Sequence, residues 1–143
     1  MNTAIDGARQ QKEEAMTGSI HQEVLFDASA AQTYEALTDA ARFAAFTGAP
    51  AEISGEPGGA FSCFGGMISG RNIELIPGQR VVQAWRAGNW APGTYSIVRF
   101  ELKPQGEATR LVFDQAGHPA EQQAHLEDGW QKMYWEPLRK YLS

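Results

Sequence analysis

Few residues in this chain have the types and spacing that chemistry requires. His118 follows Asp114 and Gln115, and an imidazole beside a carboxylate can form an acid–base couple. A His-Pro pair ahead of a helical stretch is more often a turn or cap element. Cys63 is the single cysteine. A thiol nucleophile needs a base and a lowered pKa, and Ser62 and Phe64 supply neither, so Cys63 reads as a small buried or half-buried strand residue. Ser69 and Ser96 lack a GxSxG setting. Gly65, Gly66 and Gly70 precede no Lys-Ser/Thr and no helix, so they form no phosphate loop. His21 reads as a solvated residue on a strand's outer face. His118, His125 and Asp128 do not share metal-ligand spacing, and HExxH and paired Cys/His patterns are missing. No catalytic residue, metal or cofactor is expected.

Binding chemistry is better represented. Phe43, Phe46, Phe64, Met67, Trp85, Phe113, Trp130 and Tyr134 are candidate lining residues for a ligand cavity. The chain has 4 Trp and 7 Phe, many for one small core. Small residues such as Ser69, Ala84 and Gly129 lie among them, and large rings beside small residues can leave a hollow of ligand size. Arg71 shares strand parity with Met67, Ser69 and Ile73. It is therefore read as inward, either paired with an acid such as Glu74, Glu101 or Asp114 or fixing the acidic end of an amphipathic ligand.

These residues need elements to hold them. The longest signal runs from Pro119 to Leu142. Leu126, Trp130, Met133, Tyr134, Leu138 and Tyr141 recur in steps of three and four, the stripe of an amphipathic helix. Acids crowd its first half and bases its last turn, as the helix dipole favours. Gly129 and Pro137 interrupt it. Proline inside a helix costs about 3 kcal/mol, so a bend is expected there. Earlier, Ile20–Phe26 alternates as a strand, and Ser29 and Asp39 start two short helices ended by Gly48 and Pro50. About six strands then follow between Ala51 and Gly117, parted by Gly58-Gly59, Gly65-Gly66, Pro77-Gly78, Asn89–Gly93 and Gln105-Gly106. Connections of hairpin length require an antiparallel sheet. The expected class is α+β: a curved antiparallel sheet of about seven strands around one long, bent C-terminal helix.

The chain has 143 residues, 43% hydrophobic and 20% charged, with a net charge of −5. That accommodates one domain, expected over 19–143, after a polar tail at 1–18 in which Ala8–Met16 has short-helix character. Scattered bases and an acidic balance argue against nucleic acid and anionic membranes. No apolar leader or spanning segment is seen, and a cytoplasmic protein, monomer or homodimer, is expected.

One ordered series carries a resemblance: Phe61-Ser62-Cys63-Phe64-Gly65-Gly66, Ser69-Gly70, Leu75-Ile76-Pro77, Val81-Val82, Trp85-Arg86, Trp90, Gly93, Gly117-His118-Pro119, Gly129-Trp130 and Tyr134. In it the chain resembles the START-like (SRPBCC, Bet v 1-like) helix-grip superfamily. Within that superfamily it is most similar to the C-terminal domain of the activator of heat-shock protein 90 ATPase and its single-domain bacterial homologues. The resemblance implies a cavity between sheet and long helix, used in several members for hydrophobic small molecules. It also implies a chaperone partner, which the eukaryotic activator binds with the help of a preceding domain. The function expected is a non-catalytic binding domain for an apolar or amphipathic small molecule. A chaperone-interacting module, using surface residues around Trp90, is the alternative. A cyclase-like or hydrolytic enzyme with His118 and Asp114 or Arg71 in the same cavity is the second.

Overall fold

The structure is a computed structural model and describes residues 17–143; the helical stretch expected over Ala8–Met16 lies outside them. The sheet begins with β1 (Thr17–Phe26), two residues inside the stretch read as tail. Two short helices follow, α1 (Ala30–Thr38) and α2 (Ala40–Thr47). Ser29 starts α1 through a capping box: its Oγ accepts from the Gln32 N–H at 3.1 Å, while the Gln32 side chain accepts from the Ser29 N–H at 3.1 Å. Asp39 ends α1 and caps α2, accepting from the Arg42 N–H at 3.0 Å.

The chain then runs as a meander: β2 (Glu52–Ile53), β3 (Ala60–Cys63), β4 (Ile68–Ile76), β5 (Arg80–Ala87), β6 (Ser96–Gln105) and β7 (Ala108–Pro119). All pairs are antiparallel, and the seven strands lie in the order β1-β7-β6-β5-β4-β3-β2. The expected class and strand number are those observed. Short turns set neighbours within the meander, whereas the helical pair carries the chain from β1, at the edge beside β7, to β2 at the opposite edge.

One sheet face is apolar and buried: Val24 and Phe26, Val98 and Phe100, Leu111 and Phe113, and Val81 and Trp85 point into the core. The opposite face holds exposed ion pairs, among them Arg99–Asp114 at 2.9 Å and Arg80–Glu101 at 2.7 Å. Arg71 belongs to this outer face, contrary to its inward assignment. It is exposed and donates to the Gly58 carbonyl at 3.1 Å, while Asn72 is the residue of β4 that turns fully inward. The alternation along β4 holds, but its inner face is the one that carries Asn72 and not the one that carries Arg71.

The C-terminal helix covers the apolar face in pieces: a 3₁₀ turn (Ala120–Gln122), α3 (Gln123–Gly129), a π-helical segment (Trp130–Trp135) and α4 (Glu136–Leu142). A π register hands each carbonyl to a donor one residue further on, as the Glu136 N–H to Gln131 carbonyl bond shows. This is how the missing N–H of Pro137 is accommodated, in place of an interruption inside a regular α-helix. Pro137 itself falls in the first turn of α4, where the missing donor costs little. The π segment also alters the buried stripe. Trp135, off the expected stripe, is fully buried, whereas Met133 and Tyr141, on it, are 50% and 40% exposed.

Candidate functional site

Between the first half of this helix and the ends of β4 and β5 lies an apolar cavity of about 350 Å³. Ile68, Trp85 and Ala87 form its sheet wall and Leu126 and Trp130 its helix wall, with Trp90 closing it from the β5–β6 loop. Asn89, Gln122 and His125 stand at the mouth with the exposed Asp128–Lys132 ion pair, 3.1 Å. An apolar interior with a polar rim suits a molecule buried by its apolar part.

Trp130 is the most firmly held wall residue. Its indole N–H donates to Gln115 Oε1 at 2.8 Å, Gln115 Nε2 donates to Ser96 Oγ at 3.0 Å, and Ser96 Oγ donates to the Trp85 carbonyl at 2.9 Å. All these groups are buried, and a fully satisfied chain of this kind fixes geometry. Trp130 also packs on Phe113 at 4.2 Å, Tyr134 at 4.3 Å and Trp85 at 5.3 Å. The opposite corner is the turn Phe64–Gly66, where all three residues have positive φ (55°, 67° and 96°). For Phe64 that backbone is strained by roughly 1–3 kcal/mol. Edge-on contacts to Phe43 at 5.8 Å and Tyr134 at 5.6 Å hold it in place.

The cavity brings together Phe64, Met67, Trp85, Trp130 and Tyr134 of the residues expected to line it. Met67 does so from an exposed position. Phe43 sits one layer behind, against Phe64 and Tyr134. Phe46 faces a separate shallow depression with Pro137 and Tyr141. Phe113 is wholly buried beneath Trp130, and Arg71 lies on the other side of the sheet. Trp90, expected at the surface of its loop, is 5% exposed and packs on Trp85 at 5.6 Å. The signal for this was its size: an indole in a short polar loop has much apolar area to remove from water. Leu126 was readable as helix stripe but not as cavity wall.

His118 and Asp114 do not meet. Asp114 is on the outer face, where His21 Nδ1 lies 2.7 Å away. A bulge turns His118 inward: Thr17 pairs with Pro119 but Ser19 with Ala116, and Gly117 takes φ 90° to absorb the extra residue. His118 is fully buried, with Nε2 2.6 Å from Gln123 Oε1. Cys63 is buried, and burial pushes its thiol up to about 12, the opposite of an activated nucleophile. Burial likewise holds the Tyr134 phenol well above its usual range. Among the described residues no group of three or more His, Cys, Asp or Glu can hold a metal ion, and no helix is long and apolar enough to cross a membrane.

A curved antiparallel sheet gripping a long C-terminal helix over an apolar cavity defines a helix-grip domain of the START-like kind. The particular family is shown by comparison: the chain belongs to the Activator of Hsp90 ATPase homolog 1-like proteins, whose family model matches residues 27–143. It is 31% identical over 127 residues to Activator of 90 kDa heat shock protein ATPase homolog 2 of Mus musculus, covering 89% of this chain and 38% of that protein. A homologous activator of Dictyostelium discoideum is 33% identical over 119 residues, 82% of this chain and 31% of that protein. The chain thus spans roughly a third of these curated relatives' length. Among solved structures, PFC0360w, an HSP90 activator from Plasmodium falciparum, superposes with a TM-score of 0.80 at 24% identity, covering 89% of this chain and 96% of that one. CalU16 from Micromonospora echinospora gives 0.75 at 22% identity, covering 87% and 76%. These two likenesses establish the fold.

Proposed function

We propose that this chain is a non-catalytic, cytoplasmic binding domain that takes an apolar or amphipathic small molecule into the cavity beneath its C-terminal helix. The observation that carries the reading is the cavity itself: about 350 Å³, walled by aromatic and aliphatic side chains and rimmed by polar ones. Phe64, Met67, Trp85, Trp130 and Tyr134 contact the ligand, while Phe43 and Phe113 support the wall from behind. Three tryptophans on the wall make binding visible. Apolar probes should change tryptophan emission and raise the melting temperature, and native mass spectrometry of protein from its own host should show a retained ligand. If no apolar probe moves emission or melting and the native mass equals the bare chain, the reading fails.

Family membership supports a second reading, a chaperone-interacting module. It predicts co-purification with a heat-shock protein 90 homologue and faster ATP turnover by that chaperone on addition of this chain. Absence of both effects removes it. The surface this reading uses, around Trp90, borders the cavity, because Trp90 closes it from the β5–β6 loop.

A further inference from the structure

The four tryptophans divide into two pairs. Trp130 donates its indole N–H to Gln115 and Trp135 donates to Gln22 Oε1 at 2.6 Å. Trp85 and Trp90 are just as buried, 3% and 5% exposed, yet their indole nitrogens have no acceptor among the described residues. The Trp85 N–H lies near the Tyr134 hydroxyl without reaching hydrogen-bond geometry. An indole nitrogen can only donate, and buried donors in folded proteins are nearly always paired. Both unpaired indoles belong to the cavity wall, with their rings 5.6 Å apart. The two indoles outside this pair are satisfied by glutamines of β7 and β1.

Resting on the reading of the cavity as a ligand site, we propose that its ligand is an apolar molecule carrying a neutral hydrogen-bond acceptor, such as a ketone, ester, lactone or quinone oxygen, received by the indole N–H groups of Trp90 and Trp85. The acceptor is neutral because, among the described residues, no lysine or arginine stands inside. Arg71 is across the sheet, and Lys132, at the rim, is paired with Asp128. A carboxylate drawn inside would be an unpaired buried charge, far costlier than a buried carbonyl given a donor. Both nitrogens are closed to solvent, so pairing requires the Trp90 loop to give as the ligand enters.

The test compares two probes of one shape, methyl naphthyl ketone and isopropylnaphthalene, with the full chain labelled with nitrogen-15. The hydrocarbon is cheaper to take from water, so in a cavity without donors it binds more tightly. With the indoles donating, the ketone should bind roughly tenfold more tightly than the hydrocarbon. The Trp85 or Trp90 indole proton should move downfield, while that of Trp135 stays. The order of preference should reverse in Trp90→Phe or Trp85→Phe. If the wild-type chain prefers the hydrocarbon, or binds the ketone with all four indole signals in place, the acceptor inference is wrong and the apolar cavity stands. If neither probe binds, the cavity reading falls and takes this inference with it.

Discussion

Gly129 separates stability from binding. It lies in the cavity wall at the end of α3 with ordinary helical angles, φ −61° and ψ −42°. A Cβ built there meets nothing within 4 Å. Glycine inside a helix is about 1 kcal/mol less favourable than alanine, and neither backbone strain nor a clash offsets that here. Gly129→Ala should therefore stabilise the chain by about 1 kcal/mol, roughly 3–5 °C in melting temperature for a domain of this size. Gly129→Leu should be at least as stable as wild type, since leucine is nearly as good a helix former, but its four carbons enter the cavity. For the wild-type chain, a ligand at 100 times its Kd adds about 2.7 kcal/mol, a rise of roughly 10 °C. In Gly129→Leu that rise should vanish while the unliganded melting temperature holds. Differential scanning fluorimetry with and without the naphthyl ketone reads both. A full ligand-induced rise in Gly129→Leu would mean the cavity is elsewhere, and a lower melting point for Gly129→Ala would refute the account of the local backbone.

Other outcomes follow from the same geometry. Gln115→Leu leaves the Trp130 indole unpaired in the core and should destabilise by about 1–3 kcal/mol, read as an earlier urea midpoint. Cys63, with its thiol pushed up to about 12 by burial, should react with a disulfide reagent far more slowly in the native chain than in urea; equal rates would contradict its burial. The outer-face cluster should give stability a pH window. Hydrogen bonds to Asp114 and then Glu23 raise His21 above 6.5, so its contribution is complete below 6.5 and lost as pH rises through the raised value. The His21 hydrogen bond lowers Glu23 from 4.5. Burial raises Asp114, but bonds to His21 and Arg99 outweigh it and lower it from 3.8. The carboxylate contribution is complete above those values and lost as pH falls through the lowered ones. The cluster therefore supports the fold most between 4.5 and 6.5. His21→Gln should flatten the alkaline side of the curve of urea midpoint against pH; an unchanged slope there would refute the assignment.

Sequence reasoning reached the architecture because its signals are local: period-two strands, capping serine and aspartate, and glycine or proline turns. It failed where one inserted residue resets a period. The bulge at Gly117 moves His118 from outer to inner parity, which no alternation pattern announces. On β4 the alternation itself was legible, but which face was interior depended on where the helix packs. For the cavity, side-chain size was the usable signal and position was not. Phe43, Phe46 and Phe113 are as aromatic as Phe64, and only the packing separates wall from core.

The π segment is where both awkward helix residues acquire a shared meaning. Trp130 and Trp135 stack at 5.7 Å with planes 24° apart, although five residues apart. In an α-helix such positions diverge, since its neighbours on one face are three and four apart. Each indole is pinned to a different strand, Trp130 to Gln115 of β7 and Trp135 to Gln22 of β1. A regular α register would swing one of them off its glutamine and leave a donor and an acceptor unpaired in the core. Pro137 disfavours that register from below because it has no N–H to give back to it. Sheet and proline thus impose the same local geometry, and its consequence lies one turn earlier. Trp130 is locked in the cavity's helix wall, while Gly129 beside it carries no side chain to fill the space.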